Sequence, residues 1–157
     1  MFSQSKAINL PEKTPMVSSA AEKMLKDHNL RHTLCREGVL DYFLEKDFAL
    51  SHSDLESRLS DSFDRVTLYR TLKTFLDAGL IHQVLDNEGG TKYALCKSHC
   101  TDHQHQDNHV HFKCLRCGTT SCLDNTSIPP INLPEGYQNT EMHLLIQGLC
   151  RICTAQN

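Results

Sequence analysis

Apolar positions recur at helical spacing through roughly the first half of the chain and at alternating spacing afterwards, so helices precede strands. Ser18 or Ser19 can cap a first helix whose Ala21, Met24, Leu25 and His28 share a face. After a break at Leu30-Arg31-His32, Thr33 can cap a second helix with Val39, Leu40, Phe43 and Leu44 as its buried stripe. Ser51 followed by Asp54 has the form of a capping box, and the short helix behind it buries Leu55 and Leu59. Asp64 caps a fourth helix, and Gly79 stands where a helix takes its left-handed terminator. Leu68, Leu72, Phe75 and Leu76 line one side of that helix. Arg70, Lys73 and Thr74 line the other, with Tyr69 on the flank.

Strands follow at 80–85 and 91–95, joined by the turn Asn87-Glu88-Gly89-Gly90. Counting outward from that turn sets His82 opposite Leu95, so Cys96 reaches the face of His82 only through a bulge or a strand end. Helices closing in a helix-turn-helix and followed by a hairpin describe a winged helix. Its outward Arg70 and Lys73 do not by themselves assign DNA binding, because a polar helix face is ordinarily just solvated. Residues 97–108 have almost no apolar content and read as a linker. Strands are expected at 109–113 and 119–123, and an extended run at 142–147. Pro129, Pro130 and Pro134 exclude a long helix between them. A domain of this size buries little surface and needs a metal and a partner subunit, and its edge strands suit pairing across a two-fold axis. The fold class is therefore α+β. Behind a flexible arm (1–17) comes a winged helix-turn-helix domain (18–96), then the linker (97–108), then a small C-terminal α/β dimerisation domain (109–157) with a four-cysteine zinc site.

The chemistry concentrates in that last part. Cys114-Leu115-Arg116-Cys117-Gly118 and Cys150-Arg151-Ile152-Cys153 are two Cys-x-x-Cys pairs, enough for a closed tetrahedral shell around one structural zinc ion per chain. A pair of disulfides is the competing reading, and a redox dithiol would need a βαβ setting that is absent. His109 and His111, two residues apart on a strand, point to one face beside the first pair. A zinc deaminase or hydrolase would need an open metal position and a general base, and no Glu lies within 109–117. The chain is read as no enzyme.

Composition changes this picture little. The net charge of −3 over 157 residues excludes a global basic field, so any DNA contact must be a local patch. No apolar run suits a membrane span or an export signal, and eight cysteines beside ten histidines suit a reducing cytoplasm with metal-held thiols.

Arg31-x-Thr33-x-x-Arg36, Val66-Thr67-Leu68-Tyr69-Arg70-Thr71-Leu72, Asp77-Ala78-Gly79-Leu80-Ile81, the His109 to Gly118 block and the terminal Cys-x-x-Cys occur in an order that resembles the ferric uptake regulator family of metal-sensing bacterial repressors. The resemblance runs from about Ala20 to Cys153. It implies a homodimer on a palindromic double-stranded DNA operator, with Tyr69 against a base, Arg70 near phosphate and Lys73 adding a backbone contact. It also speaks to the metal. The family's iron and peroxide sensors use an oxygen-rich pocket with a His between the second and third helices, where this chain has Ala49, and His52 is out of register. Its zinc-uptake regulators carry Gly-Leu-x-His and Tyr-x-x-Cys, present here as Gly79-Leu80-Ile81-His82 and Tyr93-Ala94-Leu95-Cys96. By that resemblance His82, Cys96, His109 and His111 hold a second, regulatory zinc ion, with Fe2+ as the alternative.

Cys122 stands where the family has a Glu ligand and is an alternative to His109 or His111 in the pocket. A further family metal site would need other side chains at Asn108, Val110 and Met142, with His143 displaced by one, and is expected to be absent. Cys35 reads as a buried, unligated thiol. His99, Cys100, His103 and His105 form a loop of weak chelators. The expectation is a zinc-responsive repressor. The rivals are an iron or peroxide sensor of the same fold and a zinc-ribbon interaction module without DNA activity.

Overall fold

The computed structural model describes residues 19–85, 90–96, 109–140 and 142–156. The arm at 1–17, Ser18, the turn residues 87–89, the linker and Asn108 lie outside them. Among the described residues no helix is long and apolar enough to cross a membrane.

Four helices build the first half: α1 Ser19–Asp27, α2 Leu34–Glu45, α3 His52–Leu59 and α4 Arg65–Asp77. Their ends are set by side chains named in the sequence. Thr33 accepts from the Arg36 amide, Ser51 and Asp54 form a reciprocal capping box, and Asp64 accepts from the amides of Val66 and Thr67. Gly79, at φ 69°, closes α4: its amide donates to the Leu76 carbonyl while Leu80 N–H donates to that of Phe75. This is a Schellman motif. Asn29 (φ 54°) ends α1 in the same way, with Leu30 N–H on the Leu25 carbonyl.

The core gathers Ala21 and Leu25 from α1, Val39, Leu40 and Phe43 from α2, Leu55 from α3 and Leu68, Leu72 and Phe75 from α4. Each fully buried large apolar side chain contributes about 1.5–3 kcal/mol. Two members of the expected stripes are displaced. Leu44 is 41% exposed because it falls at the edge of the α2 face, and Leu76 is only partly buried.

Two antiparallel strands, β2 Ile81–Leu85 and β3 Thr91–Leu95, complete the winged helix, and a two-residue strand, β1 Leu50–Ser51, extends the sheet in the order β1-β3-β2. Nothing in the sequence pattern marks β1, because two residues carry no alternation. The hairpin register differs from the expected one by a residue. His82 pairs with Ala94, not Leu95, because Leu85 pairs with Thr91 and residues 86–90 all belong to the connection. Cys96 lies just past the strand end, its amide donating to the Leu80 carbonyl.

The second sheet has order β5-β4-β6, from β4 Val110–Cys114, β5 Thr120–Leu123 and β6 Leu144–Gly148, with β4 and β6 parallel. No helix occurs among the described residues between β5 and β6, as the prolines dictate. A short helix that the sequence pattern does not announce, α5 Arg151–Ala155, follows. The chain is thus α+β, a winged helix followed by a small α/β unit with a cysteine cluster.

Candidate metal centres and the outward helix

The four sulfurs of Cys114, Cys117, Cys150 and Cys153 lie within 4.8 Å of one another. The strands bring them together. Parallel register sets Cys114 beside Gly148, two residues ahead of Cys150, and Leu115 N–H donates to the Gly148 carbonyl at 2.8 Å. Gly118, at φ 71°, turns the first pair back so that its amide meets the Cys114 carbonyl. Cys150 caps α5, and its own amide donates to the Cys114 sulfur at 3.3 Å. Cys117 and Cys150 sulfurs are 3.9 Å apart. Thiolates around a zinc ion at about 2.3 Å stand roughly 3.8 Å from each other, so this donor set fits.

The sulfurs differ electrically. Backbone amides of Cys117 and Cys150 pointing at Cys114 lower its thiol pKa to about 6. The Thr119 hydroxyl, 3.3 Å away, lowers that of Cys117. Burial, then the neighbouring thiols, raises Cys153 to about 12. One sulfur is poised as an anion while another resists charging, a conflict that a dication among them resolves.

The second cluster lies where the two sheets face each other. Nε2 of His82, from β2, is 3.2 Å from His109 Nε2, 3.3 Å from His111 Nε2 and 3.4 Å from the Cys122 sulfur. These four donors lie within 4.8 Å of one another. Such spacings fit a tetrahedral ion with ligand distances of about 2.0–2.3 Å. His111 and Cys122 are direct partners in the β4–β5 ladder and so share a face, and His109 joins them two residues earlier.

Cys96 is placed otherwise. Its sulfur is 3.4 Å from His82 Nδ1, the opposite side of the imidazole from the point where the other donors converge. The two nitrogens of one ring diverge, so a thiol at Nδ1 does not belong to a group centred on Nε2. The donor group at this joint contains Cys122 beside His82, His109 and His111, and does not contain Cys96. Both thiols line an apolar recess with Met24, Phe43, Leu44 and Phe48. Cys35 is buried, 3.4 Å from the Thr71 hydroxyl and in neither cluster. His99, Cys100, His103 and His105 lie outside the described residues.

The outward side of α4 carries Arg65, Arg70 and Lys73, all exposed, with Val66 at 54% and Tyr69 at 59% exposure. Tyr69 meets His52 edge-on at 6.3 Å, and His52 Nε2 stands 3.2 Å from the Arg65 carbonyl. A recess between α4 and the wing is lined by His52, Arg65, Tyr69 and Tyr93. The Asp64 carboxyl at its head is held below its ordinary pKa by the Thr67 hydroxyl and the first amides of the helix.

A winged helix joined to a metal-competent sheet is the build of a metal-responsive transcriptional regulator. The chain belongs to the ferric uptake regulator family, whose model matches residues 27–144. Ferric uptake regulation proteins of Staphylococcus aureus and Staphylococcus epidermidis are 30% and 31% identical to it, each match covering 88% of this chain and 98% and 97% of theirs. Among solved structures, a zinc uptake regulator complexed with zinc and DNA superposes at TM-score 0.61 with 24% identity, over 87% of this chain and 92% of that one. The Vibrio cholerae ferric uptake regulator superposes at 0.54, also 24% identical, over 82% and 98%.

Proposed function

We propose that this chain is a zinc-responsive, homodimeric repressor that binds a palindromic DNA operator. The observation that carries the reading is the convergence of three donors from one sheet on Nε2 of a histidine from the other. Zinc on Cys114, Cys117, Cys150 and Cys153 holds the small domain folded. A second, exchangeable zinc is held by His82, His109, His111 and Cys122, with Cys96 orienting His82 from its outer nitrogen in the manner of contacts that back a metal-bound imidazole. Donors drawn from two sheets bind one ion only when the sheets are together, so the ion shifts the population toward the closed form. Moving that balance from 1:99 to 99:1 takes about 5.5 kcal/mol of differential binding. A thiol among imidazoles favours zinc over the harder Fe2+.

In the closed dimer, residues 18–96 present α4 to DNA and residues 109–157 pair the subunits. Tyr69 offers an apolar ring to a base edge, while Arg70 and Lys73 neutralise phosphates. The second sheet supplies a surface for the partner subunit: β6 is an edge strand, and Ile146, Leu149 and Ile152 stay exposed on one chain. The solved zinc- and DNA-bound relative supports this reading.

Sensing of Fe2+ is the second reading, favoured by the names of the curated relatives. Duplexes selected from random DNA by the zinc-loaded chain, then titrated with it under buffered Zn2+ or buffered Fe2+, decide between the two. Zinc restores binding under the proposal; restoration by Fe2+ alone overturns it. Tyr69→Ala weakens the selected duplex by about 1–3 kcal/mol relative to random DNA, whereas Lys73→Ala weakens both alike.

A further inference from the structure

The two sheets are joined at a second place, and no donor of either metal cluster takes part in it. Ala49 N–H, just before β1, donates to the Thr120 carbonyl at 2.7 Å. From β3, Lys92 Nζ donates to the Gly118 carbonyl at 3.3 Å and reaches the Thr120 hydroxyl at 3.5 Å. Gly118 closes the first Cys-x-x-Cys turn, and Thr120 precedes Cys122 by two residues on β5, so both side chains point to the same side of the sheet. Thr120 is fully buried.

The wing matches this arrangement row for row. His82 pairs with Ala94, and one row further along the same face Val84 pairs with Lys92. Between the metal row and the lysine lies a small apolar cluster of Ala49, Val84 and Ala94, against which Cys122 packs. The joint therefore runs from four converging donors, through an apolar strip, to a lysine that grips the opposite sheet.

We propose that Lys92 is a positioning residue of the exchangeable site: it clasps the wing onto the first Cys-x-x-Cys turn and onto the strand carrying Cys122, and so sets His82 over the other donors before any ion arrives. The proposal rests on the zinc-responsive reading. It gives that reading a mechanical part, because an ion entering a seated joint does not have to supply the whole closing free energy. The same clasp connects the four-sulfur cluster to the wing, so the permanent ion holds up the surface against which the wing closes.

The test is zinc competition against a fluorescent chelator on the full chain. Its readouts are the number of ions per chain, the affinity of the weaker one and the urea midpoint. Lys92→Met keeps the alkyl stem and removes the charged donor. It is expected to weaken the exchangeable ion about tenfold, as loss of a charged hydrogen bond in a partly buried joint would. The tightly held ion and the urea midpoint stay unchanged. Lys92→Arg restores the affinity to within about threefold, since a guanidinium also reaches a carbonyl. Thr120→Ser, which keeps the hydroxyl and the carbonyl, behaves as wild type. Equal affinity in wild type and Lys92→Met overturns the clasp alone. So does a Lys92→Met chain that loses both ions or its cooperative unfolding, since the lysine would then serve the fold. A wild-type chain that takes up one ion only overturns the clasp and the zinc-responsive reading together.

Discussion

The two clusters differ in where their donors come from. Cys114, Cys117, Cys150 and Cys153 all stand at one end of one sheet, where the β4–β6 register, the turn at Gly118 and the first turn of α5 assemble them. The cluster at the joint takes His82 from β2, and His111 and Cys122 from the other sheet with His109 just before its strand β4. The first set needs only the small domain to be folded; the second needs two halves of the chain to be seated together. An ion in the first adds to folding free energy, and an ion in the second adds to the free energy of closure. Chemistry follows the same division: four thiols offer a closed, soft shell, whereas the joint offers three imidazoles and one thiol.

The largest effect that would break this contrast is loss of one of the four clustered sulfurs. Cys150→Ser is expected to remove the permanent ion and, with it, on the order of 10 kcal/mol of binding free energy that stabilises a domain with a small core. The urea midpoint and the dimer fraction in sedimentation should fall together. His82→Ala should instead keep the fold, the dimer and one ion per chain, and lose only the zinc response of DNA binding. If it sheds both ions, the centres are not independent and the comparison fails.

A smaller effect sharpens the second centre. Cys122→Ser should weaken the exchangeable ion by more than about a hundredfold, and Cys96→Ser by about tenfold, as for a contact behind a metal-bound imidazole. Zinc competition reads both variants, and the reverse order would restore Cys96 as the ligand and move Cys122 outside.

Much of this was legible in the sequence because it is local. Caps at Thr33, Ser51, Asp64 and Gly79 act within a few residues, and the two Cys-x-x-Cys turns state their own spacing. What was misread depends on how separate segments meet. The one-residue difference in hairpin register follows from a longer connection at 86–90, and it decides which residue faces Ala94. Cys96 stands at Nδ1 of His82 and Cys122 at Nε2, because a histidine offers two nitrogens and only packing chooses which one each thiol meets. Lys92 and Thr120 gave no sign at all: a lysine on a short strand looks like a solvated residue until the opposite sheet is in place. β1 was invisible for a related reason, since its two residues are strand only because β3 lies beside them.

The gentlest probe of the contrast is pH applied to the ion-free chain. Thiol pKa values at Cys114 (about 6) and at Cys117 lie below the ordinary 9.0. The unfolded chain therefore binds more protons than the folded one between about pH 6 and 9, and stability rises with pH across that window. Cys153, raised to about 12, has the opposite sign: the folded chain keeps a proton that the unfolded one has lost, and stability falls between 9 and 12. The urea midpoint of the chelated protein should accordingly climb toward pH 9 and decline beyond it, and Cys114→Ser should flatten most of the climb and make the decline shallower, because Cys114 is among the thiols that raise Cys153. A midpoint independent of pH in this range would mean that the two Cys-x-x-Cys turns are not formed without their ion. The permanent centre would then be folded by its metal outright, a sharper contrast with a joint whose ion would only shift the balance toward closure.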